Sequence, residues 1–335
     1  MKCNMTRRSG ARIAGWLLCV LAVCAVHAPA IASDDYPSRP IKMMVGYPPG
    51  GGTDIVARLI GPRLAQELGQ PVLIENRTGA TGTIAAGMVA KAPPDGYTLL
   101  LGTNASNALA PSVIASLPYD PRNDFAPVAM LNAVPQMISV PADSPLRTLD
   151  ELIRDARAHP GKLSYGTPGN GSAPHLAGRL FETLTQTTLL HVPYRGAGHA
   201  ITDMIGGRTQ VSFESASSSA ALVKSGRIRA LAVASRQRLP QFPELPTTAE
   251  AGLPGYVISV WFGIFAPRGT PPAVVQRVHA ATARILAAPD FQAQLANTMI
   301  SERTAAMSPA AFSAFVSSEI DRYAQIARQA GIKPE

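Results

Sequence analysis

Ten short apolar runs, each suited to a strand, alternate along most of this sequence with segments whose apolar residues recur at helical spacing. That alternation confines the chain to an α/β architecture. The runs are residues 41–46, 71–75, 97–102, 127–132, 136–140, 162–166, 188–192, 209–214, 228–234 and 257–266. Most are continuously apolar, as in sheets covered on both faces. A largely parallel arrangement is therefore expected. Among the helical segments, Ile55, Val56, Leu59, Ile60, Leu64 and Leu68 share one face, and Gly69 follows as a stop. Pro62 lies inside that segment and is expected to kink it or lift its first turn. Thr148 and Glu151 have capping-box spacing ahead of Leu152, Ile153 and Ala156. Ser308-Pro309 supplies a cap and then a proline at the first helical position. Phe312, Phe315, Val316, Ile320, Tyr323 and Ile326 continue from there at helical spacing.

The first 32 residues read as a removable leader. Lys2, Arg7, Arg8 and Arg12 are basic, Ile13 to Val26 is apolar, and Ala30-Ile31-Ala32 offers a small-x-small cleavage site. The apolar run is too short for a membrane span. Arg7-Arg8 lacks the continuation of a twin-arginine signal, and Val23 before Cys24 is bulky for a lipidation site, so soluble export to the periplasm is expected. The leader holds 4 of the 30 basic residues and none of the 22 acidic ones, leaving 26 against 22 and a net charge of +4. No Lys/Arg run remains, so neither nucleic acid nor a membrane surface is an expected partner. Cys3, Cys19 and Cys24 all lie in the leader. The remainder has no disulfide, thiol catalyst or thiolate metal site.

About 300 residues after the leader can bury two cores. Two proline-marked joints stand out, Leu131 to Gln136 and Ser235 to Pro246. A chain that crosses and returns at these joints gives a discontinuous first domain, residues 33–134 plus 236–335, and a second domain, residues 135–235. Two lobes joined by two crossings form a hinge with a ligand cleft between them.

Two glycine-rich turns fit such a cleft. Gly46-Tyr47-Pro48-Pro49-Gly50-Gly51-Gly52-Thr53-Asp54 lies between a strand-like run and the helix that starts near Ile55. Glycines let backbone approach a ligand closely, and a helix start presents unpaired N–H groups and a positive dipole end. Such a turn binds carboxylates without a charged side chain. The second turn is Gly166-Thr167-Pro168-Gly169-Asn170-Gly171, followed by Ser172-Ala173-Pro174-His175. Ser172 is a candidate N-cap. Both turns fall at carboxyl ends of strands, where open α/β sheets bind ligands. Neither fits a phosphate loop or a dinucleotide fingerprint, so no cofactor is expected. His159, His175, His191, His199 and His279 lack metal-ligand spacing.

In these motifs the chain resembles the Bug-type solute-binding receptors of tripartite tricarboxylate transporters. The resemblance is carried by Tyr36-Pro37-Ser38-Arg39-Pro40-Ile41, the first glycine turn, Gly69-Gln70-Pro71-Val72, Glu75-Asn76-Arg77 and Pro94 to Leu100. It continues through Tyr165-Gly166, Gly171 to Leu176, His191-Val192-Pro193-Tyr194-Arg195-Gly196, Pro246 to Gly252, Trp261-Phe262-Gly263 and Pro267 to Pro271. It implies a two-lobed periplasmic-binding-protein-like fold, each lobe a mostly parallel sheet flanked by helices. It also implies a monomer that is not an enzyme, that closes on a small carboxylate and that delivers it to membrane subunits. The implied ligand contacts are Tyr47, Gly50, Gly51, Gly52, Thr53 and Asp54 on one side and Thr167, Gly171, Ser172, His175 and Tyr194 on the other. Thr103 to Asn107, with Asn104 and Ser106, and Phe213 to Ser217, with Glu214 and Ser217, look like further walls.

The chain departs from the family pattern at Thr78 and Thr81, at Ala110-Pro111, and at Glu214, where the family often has Asp. Asp54 is equally suited to capping its helix, and its charge repels a carboxylate. Glu214 in an apolar strand needs a partner, either a ligand's amino or hydroxyl group or an Arg. Two other readings stay open. An exported hydrolase would use Ser172 and His175, although no Gly-x-Ser-x-Gly elbow is present. A ligand sensor would dock a signalling partner instead of delivering its ligand.

Overall fold

The computed structural model describes residues 36–50, 52–170, 172–194, 197–298, 307–329, 331–332 and 334. The leader, Gly51, Gly171 and Arg195 lie outside them. The chain divides into a short unit, Met1–Tyr36, and a main unit, Pro37–Glu335. The main unit begins with β1 (Ile41–Val45), α1 (Gly52–Leu68), β2 (Val72–Asn76), α2 (Thr83–Ala90), β3 (Thr98–Thr103), the short α3 (Ala110–Val113) and β4 (Phe125–Pro135). A second group follows: β5 (Met137–Pro141), α4 (Leu149–Ala158), β6 (Ser164–Thr167), α5 (Ala173–Thr185), β7 (Leu190–Pro193), α6 (Ala197–Ile205), α7 (Ala216–Lys224) and β8 (Ile228–Val233). The chain then returns with β9 (Ser259–Pro267), α8 (Pro272–Ala287), α9 (Pro289–Thr298) and α10 (Pro309–Gln329).

The principal sheet has the order β2-β1-β3-β9-β4. β1 runs parallel to β2 and β3, with Met43 opposite Ile74 and Leu99. β9 runs antiparallel to β3 and β4. The sheet is thus mixed, not mostly parallel. The reason lies in the route of the chain: it leaves along β4 and comes back along β9, so Pro135 ends up opposite Ser259 and Phe125 opposite Pro267. The second group pairs β5 with β8 antiparallel and β6 with β7 parallel. The run at 209–214 stitches the two pairs together through single bridges, Ser139 to Ser212 and Tyr165 to Val211. The α/β, two-lobed architecture expected from the sequence is the one observed.

Local chemistry sets the helix ends. Thr148 Oγ1 accepts the Glu151 N–H at 3.2 Å while Glu151 Oε2 accepts the Thr148 N–H at 3.2 Å, a complete capping box for α4. Ser308 Oγ accepts the Ala311 N–H at 3.2 Å ahead of α10. α1 continues across Pro62 to Leu68, and Gly69, at φ 75°, ends it with its N–H on the Ala65 carbonyl.

Two aromatic clusters mark the core. Trp261 on β9 is fully buried and meets Phe312 edge-on at 6.0 Å and Phe265 at 6.3 Å. Its Nε1–H donates to Glu319 at 3.2 Å. In the second group, Phe213 lies 5.4 Å from Tyr165, 5.3 Å from Phe181 and 6.4 Å from Tyr256. Each such ring contributes roughly 1.5–3 kcal/mol through burial.

Candidate functional site

β1 delivers the chain into the first glycine turn. Gly46 passes so close to Gly82 that a Cβ on Gly46 would lie 2.4 Å from the Gly82 Cα, so only glycine fits there. Tyr47 donates its hydroxyl to the Thr81 carbonyl at 2.9 Å, and the same oxygen lies 3.3 Å from Thr103 Oγ1. Burial pushes the Tyr47 phenol up, opposed by the Thr103 contact. Asn76, the last residue of β2, donates to the Tyr47 carbonyl and to Asp54 Oδ1, both at 2.9 Å.

Asp54 gathers the turn. From the first turn of α1 its Oδ2 accepts the Gly50 N–H at 2.9 Å and Arg58 Nε at 2.8 Å. The Arg58 hydrogen bond holds its pKa at about 2; burial works the other way, and the Gly50 and Asn76 bonds assist Arg58. The turn, the helix itself and Asn76 of β2 thus hold this carboxylate, and the residue is 2% exposed. Thr53 beside it is also buried, whereas Gly50 and Gly52 are exposed. Asn104 and Ser106, after β3, are buried: Asn104 donates to the Tyr323 hydroxyl at 3.0 Å, and Ser106 donates to Asn107 Oδ1 at 2.7 Å.

The second turn is built differently. Thr167 Oγ1 ends β6 and lies 2.6 Å from His191 Nε2, which β7 supplies from the neighbouring register. Ser172 N-caps α5, accepting the His175 N–H at 3.4 Å and donating to the Gly169 carbonyl at 2.7 Å. The His175 ring stacks on His191 at 4.2 Å. Burial, then His191 and Arg179, hold His175 near 4; burial and Arg179 also lower His191. The pair is therefore neutral at pH 7 and offers no positive charge to a ligand. Ser172 meets the backbone N–H of His175, which is not the contact a nucleophile makes with its general base.

Tyr194 donates to Asp203 Oδ2 at 2.9 Å, and Arg208 holds the other carboxylate oxygen at 2.7 Å. Glu214 is 4% exposed; burial raises its pKa to about 7 against a bond from the Ser215 N–H, and Oε1 has no partner. Ser217 lies half-buried in the first turn of α7, which Ser215 caps. The structure thus places Tyr47, Gly50 and Asp54 in one network, with Thr53 buried next to Asp54 in the chain, and Thr167, Ser172 and His175 in another. Thr103, from the expected wall Thr103 to Asn107, joins the first network, and Asn76, Arg58, Thr81 and His191, which the sequence does not single out as site residues, complete the two. Asn76 and His191 did carry a signal, since each belongs to a family motif. A groove of about 1220 Å³ opens elsewhere, between the start of α4, β8 and residues 241–252, and shares no residue with either turn.

Comparison with known proteins places the chain in a family. The profile described as tripartite tricarboxylate transporter family receptor matches residues 56–332. Protein BugT of Bordetella pertussis is 36% identical over 318 residues, 93% of this chain and 95% of BugT. Among solved structures, an R. palustris protein with adipate is 38% identical, with a TM-score of 0.78 over 90% of this chain and 100% of the other. MatC from Rhodopseudomonas palustris, with bound malate, is 33% identical, with a TM-score of 0.72 over 87% of this chain and 100% of the other.

Proposed function

Since the chain belongs to the tripartite tricarboxylate transporter receptor family, we propose that it captures a small carboxylate between its lobes in the periplasm and presents the closed form to membrane transport subunits. Lobes of residues 33–134 plus 236–335 and 135–235 close on the ligand as a monomer, without catalysis. The observation that supports this most is the pre-built first turn. Asp54 already ties the Gly50 N–H to the first turn of α1, and Asn76 and Arg58 hold Asp54 in place. A ligand therefore meets rigid backbone at the start of α1, and ordering costs it little. The charge at this end is that of a helix N-terminus, which suits an anion. The contacts are Tyr47, Gly50, Gly51, Gly52 and Thr53, with Thr167, Gly171, Ser172, His175 and Tyr194 facing them, and Asn104, Ser106, Glu214 and Ser217 as walls. Asp54 acts by holding the turn.

Adipate and malate, found in two solved relatives, are both dicarboxylates and favour that ligand class. Hydrogen bonds to a charged group contribute roughly 1.5–3 kcal/mol each, so three or four reach the ~8 kcal/mol of a micromolar complex. Isothermal titration of the exported form against mono-, di- and tricarboxylates is expected to give a 1:1 complex in the micromolar range with no ligand turnover. Titrations that are flat for every carboxylate, or ester hydrolysis dependent on Ser172, would overturn the proposal.

A further inference from the structure

Glu214 carries a buried carboxyl oxygen that has no hydrogen-bond partner among the described residues. Its place is informative. Tyr165 on β6 pairs in parallel with Val211, and Glu214 follows three residues on, towards the carboxyl end of β6. On its other side the Glu214 carbonyl accepts the Met137 N–H at 2.7 Å, and Gln136 bridges Ser215. Glu214 therefore lies between the second turn and the crossing from β4 to β5, at the carboxyl edge where ligands of α/β sheets gather. Phe213 packs on Tyr165 and Phe181.

Unsatisfied neighbours reinforce the point. Gln136 Oε1, in a residue 1% exposed, and Ser139 Oγ, in a residue fully buried, also lack partners. Buried polar atoms without partners are rare in native proteins. The charged and titratable groups around Glu214 do not compensate it. β5 contributes none, and Tyr165 of β6 packs its ring on Phe213, its hydroxyl also lacking a partner among the described residues. His191 of β7 is stacked on His175, and Arg229 of β8 is bonded to the carbonyls of Ala142, Ser144 and Leu146. On α6, Asp203 is held by Arg208 and Tyr194, and His199 accompanies it. Lys224 stands at the far end of α7, over the Phe242 ring. A carboxyl buried without a cation is held as the neutral acid, and an arriving anion strengthens that preference.

We propose, resting on the receptor reading above, that Glu214 determines specificity by donating its proton to the distal carboxylate of a dicarboxylate whose other end is held by the glycine turns. Binding then takes up a proton whenever Glu214 is ionised in the free protein. The selected ligands are diacids rather than monoacids of equal length.

The test compares succinate, glutarate and adipate with butyrate, pentanoate and hexanoate, by calorimetry at pH 6, 7.5 and 9 in buffers of differing ionisation heat. The wild type is expected to prefer the best diacid to its matched monoacid by tenfold or more at pH 6. Its diacid affinity falls by up to tenfold per pH unit once Glu214 ionises, with uptake of up to one proton per diacid at pH 9, while monoacid affinity stays flat. Glu214→Gln keeps a neutral donor, so it retains the diacid preference and loses the pH dependence. Glu214→Ala brings diacid and monoacid within about threefold. A wild type whose diacid binding is independent of pH and takes up no proton overturns this assignment alone, as does an unaltered preference in Glu214→Ala. A wild type that binds no carboxylate overturns the receptor reading and this assignment with it.

Discussion

Asp54 organises the first turn, and its physics makes a prediction. Its folded-state pKa, about 2, lies below the ordinary 3.8. The stability it contributes is therefore complete above about pH 5 and fades as pH falls through 4 towards 2. Asp54→Asn is expected to lower unfolding free energy at pH 7 by about 1–2 kcal/mol, the usual scale for losing bonds to a charged group. It should also flatten the loss of stability between pH 4 and pH 2. Urea melts followed by circular dichroism at several pH values check both. An unchanged slope would mean that Asp54 is not what holds the turn. Asp54 was visible in the sequence as a capping candidate because its spacing from Gly50 is local. Its tie to Asn76 was not, because that contact needs β1 and β2 side by side.

Elements were legible in proportion to how local their signals are. The capping box of α4, the serine cap of α10 and the Gly69 stop are written within four residues each, and all three are present. Strand direction is another matter. The apolar run of β9 reads the same whichever way it pairs, and its antiparallel placement follows from a return path more than 120 residues long. The 209–214 run likewise reads as a full strand and is reduced to bridges, because its bridge pairs with β5 and β6 are single ones, at Ser212 and Val211. Helix α5 yields a test at this scale. A Cβ on Gly178 would sit 2.3 Å from the Tyr165 ring, which is itself fixed against Phe213 and His191. Gly178→Ala gains up to ~1 kcal/mol in helix propensity, but overpacking a buried ring costs about 1–3 kcal/mol. A lower melting temperature is expected, and a higher one would show that the ring yields freely.

At the scale of the molecule, the expected behaviour is ligand-linked closure. A carboxylate present at a hundredfold excess over its dissociation constant adds about 2.7 kcal/mol to stability. For a chain of this size that corresponds to a rise of roughly 4 °C in Tm. Scanning fluorimetry measures the shift, and solution scattering should show a smaller radius of gyration in the same samples. A stabilised protein whose radius is unchanged would argue for a rigid binder and against hinge closure. The two proline-marked joints suggest a hinged pair of lobes, and the family motifs add the kind of ligand; local spacing by itself points only to two turns.

Trp261 supplies the optical means to follow such events. After the leader it is the chain's single tryptophan, sealed among Phe265, Phe312 and Phe315. Its emission should be blue in the native protein and should move to the red as the core admits water. Because Trp261 stands opposite Ala133, at the end of β4, that unlabelled fluorophore watches the strand along which the chain departs for its second lobe.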